Sequence, residues 1–453
     1  MTPSASQPFD HLRLELIHPD QVQPHPDNPR KHPRKQVQQI AKSIKELGFR
    51  FPVLIDAQSR LIAGHGRIEA AKLLALKEVP AVRADDLTDA QARALMIADN
   101  RLTEISDWDE TLLAQNLKML SDLEIDFDLD VIGFEYGEIE NRISQLELVD
   151  DGEADTADDI PEFEQSQSIC QVGDVWQLGD HRLICGDSTQ VETYQSLLGD
   201  ERASLVFTDP PYNMPARDIG QVCASQHGEF AMGSGEMSPE QFTTFLGLVM
   251  ALLCRFSLAG SIHYLFMDWR HASEMLAAGS EHYSAFKNLC VWVKDRPGMG
   301  TYYRSQHELV FVFKHGNSSH QNNFKLGQFG RTRSNVWHFP SVRQFSAEDG
   351  DPDGNEALKL HPTVKPVKLI EEALLDCSRR SEIVVDPFLG SGSTLIACDK
   401  VQRRCFGIEI DPRYADVTIQ RWQQWTGLEA IHDSTGRTYG ETASLMNLEA
   451  DHG

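Results

Sequence analysis

The chain has 453 residues, too many for a single hydrophobic core, and its 41% hydrophobic and 24% charged composition is that of a globular protein. A formal net charge of −26 excludes nucleic-acid binding by the surface as a whole, so any such contact must use a locally basic segment. Eight cysteines without a Cys-x-x-Cys argue against disulfides or metal, and no membrane span or signal peptide is visible, so a cytoplasmic, membrane-free protein is expected.

In chain order, residues 1–146 make the first predicted domain. Pro52-Val-Leu-Ile-Asp56 reads as a strand, Ala57-Gln-Ser-Arg60 as a turn, Leu61-Ile-Ala63 as a second strand and Arg67 to Ala75 as a helix. The junction is Gly64-His65-Gly66-Arg67. Glycines admit a close backbone approach, a helix start offers free N–H groups, and arginine adds a fork for phosphate. A tight turn with a surface arginine is the alternative. In its setting the segment resembles the ParB N-terminal domain, related to sulfiredoxin, whose Gly-x-x-Arg box holds nucleotide phosphates. Asp27-Asn28-Pro29-Arg30 and Ala98-Asp99-Asn100-Arg101 extend the resemblance over residues 11–105. It implies CTP or ATP as a ligand of Gly64, His65, Gly66 and Arg67. Sulfiredoxin chemistry needs a cysteine in that box; His65 stands there, and no cysteine precedes Cys170. No helix-turn-helix is evident after the domain, so a chromosome-partitioning role is not expected.

Residues 147–168 carry Asp150, Asp151, Glu153, Asp155, Asp158, Asp159 and Glu162 with few large apolar side chains. Such a segment lacks the surface to order itself and is expected to be a flexible linker. The last predicted domain covers residues 169–440. Val175 to Asp187 reads as a hairpin, and Ala203-Ser-Leu-Val-Phe-Thr208 as a strand running into Asp209-Pro210-Pro211-Tyr212. Two prolines fix the backbone and donate no hydrogen bonds, leaving carbonyls free to accept. An exocyclic base amine is a poor nucleophile because its lone pair is delocalised. Accepting its hydrogens at the Asp209 carboxylate and the Pro210 carbonyl favours the tetrahedral form that attacks, while Tyr212 offers a face to a base taken out of the duplex.

From Lys287 to Arg343 there are nine basic residues against two acidic ones, with Tyr302 and Tyr303 among them. This insert, residues 287–345, is expected to read the target, with Lys294, Arg296, Arg304, Arg331 and Arg333 as candidate DNA contacts. An active-site lid without base contacts is the alternative. His361-Pro362-Thr363-Val364-Lys365-Pro366 then precedes an amphipathic helix with Val367, Ile370, Leu374 and Cys377 on one face. Ser381 to Asp386 reads as a strand, followed by Pro387-Phe388-Leu389-Gly390-Ser391-Gly392-Ser393-Thr394 and a helix. This is the nucleotide-binding corner of a doubly wound sheet, and Glu409 at the end of the next strand is where an acid accepts ribose hydroxyls.

Asp-Pro-Pro-Tyr, His-Pro-Thr-x-Lys-Pro and Asp-Pro-Phe-x-Gly-Ser-Gly-Ser, in this order, resemble the amino-methyltransferases of DNA in their permuted β class. The resemblance spans residues 170–425. It implies an α/β fold: a doubly wound, Rossmann-like sheet dependent on S-adenosylmethionine, preceded here by the smaller α+β domain. It further implies Asp209, Pro210, Pro211 and Tyr212 as catalytic positions. Asp386, Phe388, Gly390, Gly392 and Glu409 would hold the cofactor, with Asp187 at its adenine and Thr363 and Lys365 in the motif covering its methionine end. Aspartate at the first catalytic position favours N6 of adenine in double-stranded DNA. N4 of cytosine, an RNA or protein substrate, and a catalytically silent ParB-like regulator remain alternatives. No restriction partner is visible in the chain, and the sequence leaves open whether it forms a homodimer.

Overall fold

The computed structural model describes residues 12–123, 128–147, 156–160, 168–214, 235–298, 302–328, 331–341 and 364–450. The chain divides into two units, Met1–Asp151 and Gly152–Gly453.

The first unit is built on a four-stranded sheet of β1 (Leu12–Ile17), β2 (Val53–Ile55), β3 (Leu61–Ala63) and β4 (Val79–Ala84), in the order β1-β4-β2-β3. Val53, Ile55, Leu61, Val79 and Ala81 bury one face of it against Ile68 and Ala71. Those two lie on α2 (His65–Leu73), which packs on α1 (Arg34–Leu47). The predicted strand-turn-strand-helix is present, with the helix starting two residues earlier than expected because Gly64, at φ 98°, caps it in a left-handed conformation. A Cβ at Gly64 would meet Val53 Cγ1 at 2.8 Å, so both the angle and the packing require glycine. Then α3 (Asp89–Glu104) begins at a capping box formed by Thr88 and Gln91. Next come α4 (Glu110–Asp122) and α5 (Tyr136–Glu147), which enclose a small core of Leu117, Leu129, Ile139 and Ile143. Ion pairs from Lys35 to Glu135 and from Lys42 to Asp130 join this layer to α1.

The second unit holds a ten-stranded sheet. Its strands are β5 (Val175–Leu178), β6 (His181–Cys185), β7 (Ala203–Thr208), β8 (Ser257–Met267), β9 (Ala285–Val293), β10 (His307–Lys314), β11 (Val336–His338), β12 (Ile383–Asp386), β13 (Arg404–Glu409) and β14 (Ile431–His432). They lie in the order β11-β9-β10-β8-β7-β12-β13-β6-β5-β14. The central five, β8-β7-β12-β13-β6, run parallel. Their strands are near-continuous apolar runs because helices cover both faces. Leu205 and Phe207 of β7 point to one face, against α9 (Val367–Cys377), α10 (Ser393–Lys400) and α11 (Pro412–Thr426). Val206 points to the other, against α6 (Val191–Leu198), α7 (Pro239–Arg255) and α8 (Ala272–His282). The α/β doubly wound expectation is met. Among the described residues no helix is long and apolar enough to cross a membrane.

One expectation is corrected in part. Residues Thr156–Asp158 of the acidic stretch form a 3-10 turn seated in this unit's core, with Ala157 only 3% exposed. The buried Arg421 guanidinium donates to the Ala157 carbonyl at 2.7 Å, and the Asp158 carboxylate accepts from the Val367 N–H at the start of α9 at 2.9 Å. A buried cation and an open helix N-terminus hold these acids where composition alone suggests a solvated linker.

Candidate active site

The strand order marks out a candidate site. After β7 the chain crosses to β8 on one side; after β12 it crosses to β13 on the other. The neighbouring strands β7 and β12 therefore form the topological switch point, and the crevice beyond their carboxyl ends is where such sheets bind ligands. Asp209-Pro210-Pro211-Tyr212 leaves β7 there, and Pro387 to Gly392 leaves β12 beside it. The Thr208 hydroxyl donates to Asp386 at 2.8 Å across the two strands. Asp386 also accepts from the Thr394 hydroxyl at 2.6 Å and the Phe388 N–H at 3.1 Å. It thus braces the two motifs against each other, and its burial raises its pKa to about 6.

On the cofactor side, Gly390 has φ 56° and Gly392 φ 84°. Gly392 caps α10 in the left-handed conformation, and a Cβ there would meet Thr418 Cγ2 at 2.9 Å. The Glu409 carboxylate accepts from the Gly390 N–H at 2.8 Å and the Asp411 N–H at 2.9 Å. It is 8% exposed, and burial lifts its pKa to about 7. Asp386, expected at the cofactor, is taken up by its contacts to Thr208 and Thr394; the Glu409 carboxylate beside the glycine corner is an acceptor that fits the ribose of a nucleoside. The Phe388 ring lies 6.1 Å from that of Phe245. Asp187 accepts from the Thr189 N–H and hydroxyl at 2.8 and 2.7 Å, just beyond β6. Thr363 lies outside the described residues.

On the catalytic side the sequence reading missed a charge cluster. The Lys365 ammonium donates to Asp209 Oδ2 and lies 3.0 Å from Glu308 Oε2. The Tyr212 hydroxyl donates to the same Glu308 oxygen at 2.9 Å, and Lys294 Nζ donates to Glu308 Oε1 at 2.5 Å. Asp209 Oδ1 is buried with no hydrogen-bond partner. Burial pushes the Asp209 pKa up while Lys365 pulls it back; Glu308, between two ammoniums, is held at about 2. Lys365, expected at the cofactor, is spent on these carboxylates, and Lys294, expected on DNA, is spent on Glu308. The signal for Glu308 was present: one acid inside the apolar run His307-Glu308-Leu-Val-Phe-Val-Phe313.

Arg331 and Arg333 are a correction. Arg331 donates to Asp376 at 3.0 Å and to Glu372 at 2.7 Å, Arg333 donates to Asp376 at 2.9 Å, and both side chains are about one-sixth exposed. They fasten the insert to α9, because Glu372 and Asp376 on that helix, one turn apart, meet them as a fork. Of the candidate DNA contacts, Arg296 and Arg304 are exposed, with Tyr302 and Tyr303 beside Arg304 in the connection between β9 and β10.

In the first unit, His65 Nε2 and Arg67 Nε at the start of α2 are buried without hydrogen-bond partners. Burial lowers the His65 pKa to about 4, and the His32 ring stacks on it at 6.3 Å. Arg67 reaches the Pro52 carbonyl with Nη2 at 3.3 Å.

Family models match three segments: DNA methylase over residues 203–420, ParB N-terminal domain over 4–101, and ParB-methyltransferase HTH domain over 111–171. The type II methyltransferase M.HpaI of Haemophilus parainfluenzae is 24% identical over 273 residues, covering 57% of this chain and 79% of that protein. The ParB-like nuclease domain-containing protein YnaK of Escherichia coli (strain K12) is 44% identical over 71 residues, 16% of this chain and 82% of that protein. The crystal structure of the M1.HpyAVI-SAM complex superposes with a TM-score of 0.38 at 19% identity, covering 53% of this chain and 97% of that one. The third family match overturns the expectation that no helix-turn-helix follows the first domain, and with it that argument against a partition-type role. Helices α4 and α5 lie in the matched segment.

Proposed function

The chain belongs to the DNA methylase family, with a ParB N-terminal domain and a ParB-methyltransferase helix-turn-helix ahead of the methylase, and we propose that its target is the N6 amine of adenine in double-stranded DNA. The observation carrying this proposal is the buried, unpartnered Oδ1 of Asp209, in the residue that precedes Pro210. An amine with two hydrogens satisfies that oxygen and the Pro210 carbonyl at once, and accepting both draws its lone pair out of the ring. Bound at Glu409 and the Pro387-to-Gly392 corner, S-adenosylmethionine supplies the activated methyl group. The chain's part is positioning and electrostatics: Asp209 and Pro210 orient the amine, and Tyr212 offers its ring to the extruded base. No covalent enzyme intermediate is needed. Aspartate rather than serine at the first position supports adenine over cytosine. Arg296 and Arg304, exposed beside two tyrosines, are the DNA contacts of this proposal. Asp209→Ala is expected to abolish methyl transfer to DNA and leave cofactor binding within a few-fold of wild type. Digestion of the labelled DNA product identifies the base. Near wild-type transfer by the variant, or label on cytosine, sinks the corresponding part.

The first unit carries a second proposal, a nucleotide at Gly64, His65, Gly66 and Arg67. Its support is the pair of buried, unpartnered nitrogens at a helix N-terminus. Calorimetry with CTP and with ATP is expected to show binding to one of them that Arg67→Ala removes; no heat with either leaves the box structural.

A further inference from the structure

We infer that Lys365 and Glu308 are positioning residues for the catalytic tetrapeptide: Lys365 pins Oδ2 of Asp209 so that Oδ1 alone faces the incoming amine, and Glu308 holds that ammonium and the Tyr212 hydroxyl in one frame. The inference rests on the methylase reading of this site.

A carboxylate turns readily about its last bond, because that torsion is broad and nearly two-fold. An unanchored Asp209 would present either oxygen, in a range of planes. The contact to Lys365 removes that freedom, and Oδ1 stays buried and unpartnered beside it. Lys365 is itself fixed from several sides. Its side chain is 5% exposed, its Nζ is 3.0 Å from Glu308 Oε2, and it lies over the rings of Tyr212, Phe266 and Trp292 at 5.6, 5.2 and 5.8 Å. An ammonium so enclosed has no free donor fan for solvent. A role against the cofactor is disfavoured, since the ammonium is already taken up by Asp209 and Glu308.

Glu308 is the hub. One oxygen takes Lys365 and the Tyr212 hydroxyl; the other takes Lys294, which lies 4.8 Å over the Trp292 ring. Both halves of the tetrapeptide, the acid and the stacking ring, are therefore referred to one carboxylate on β10. Two carboxylates and two ammoniums balance in charge, which offsets the cost of holding Lys365 and Glu308 out of water, with Asp209 and Lys294 partly exposed at the edge. The groups that set Asp209's charge are Lys365, Glu308 and Tyr212, with Asp386 on β12 as the next carboxylate.

The charges give a signed test. Removing the Lys365 ammonium leaves burial and Glu308 opposed only by the Tyr212 hydroxyl, so the Asp209 pKa rises; removing the Glu308 charge takes away the opposing carboxylate, so it falls. The full chain and its K365M, K365R and E308Q variants are compared in three measurements. These are cofactor affinity by calorimetry, single-turnover methyl transfer to unmethylated DNA against pH, and Asp209 ionisation by isotope-edited infrared difference spectroscopy with D209N as blank. The expected result is a loss of about 100-fold in the single-turnover rate of K365M. Its acid limb moves to higher pH, K365R restores it in part, and that of E308Q moves to lower pH, with cofactor affinity within a few-fold in all three. A K365M variant with unchanged Asp209 titration overturns the inference, as does one whose loss lies in cofactor affinity. If the wild-type chain methylates no DNA, the substrate proposal fails while the infrared titration still decides the role of Lys365.

Discussion

At the scale of single residues, the site shows that burial and pairing decide chemistry that residue type only permits. Asp209, Asp386 and Glu409 are three carboxylates at three adjacent strand ends, and each has a different environment. Asp209 keeps an unpartnered oxygen, Asp386 is saturated by Thr208, Thr394 and the Phe388 N–H, and Glu409 accepts two backbone N–H groups. Glu409 carries a pH prediction. Its folded pKa, about 7, lies above that of an unfolded glutamate. The bound proton therefore favours the folded chain at low pH, and this contribution is lost as pH rises through about 7. A cationic cofactor prefers the ionised form. S-adenosylmethionine affinity is thus expected to rise roughly tenfold between about pH 6 and about pH 8, and Glu409→Gln to flatten that dependence. Calorimetry across this range decides it; a flat wild-type profile contradicts the assignment of Glu409 to the cofactor.

At the scale of elements, sequence periodicity located strands and helices well and misjudged what their charges do. Among nine basic residues between Lys287 and Arg343, Lys294, Arg296, Arg304, Arg331 and Arg333 read as candidate DNA contacts. In the fold they divide: Arg331 and Arg333 clamp the insert to α9 through Glu372 and Asp376, whereas Arg296 and Arg304 stand in the exposed connection between β9 and β10. No local pattern distinguishes these uses, because the partners lie some forty residues downstream. Arg331→Ala is therefore expected to destabilise the protein by about 3 kcal/mol, as breaking a buried pair does, with the salt dependence of DNA binding unchanged. Arg304→Ala should leave the melting temperature alone and reduce the salt slope by about 1. Melting curves and binding isotherms at several salt concentrations separate the two; interchanged outcomes would return Arg331 to the DNA.

At the scale of the whole molecule, two units of different architecture occupy one chain, and the acidic stretch between their cores is partly structural. Ala157 and Asp158 satisfy Arg421 and the first turn of α9. A truncation that begins at residue 152 is expected to melt well above one that begins at residue 160, since the shorter form leaves Arg421 buried without that carbonyl and α9 without its cap. Equal melting temperatures would show the turn to be dispensable. The sequence by itself determined the fold class, the two glycine-rich strand-to-helix corners and the Asp209-to-Tyr212 turn at a strand end, because these depend on local chemistry: apolar runs, glycines at left-handed positions and prolines. It determined neither the helix-turn-helix, which no local pattern announced, nor the partners of the basic insert. Only the tertiary structure brought Lys365 and Glu308 to Asp209. Their alignment is set by which strands neighbour which, and strand order is decided by the packing of the entire sheet rather than by any segment of it.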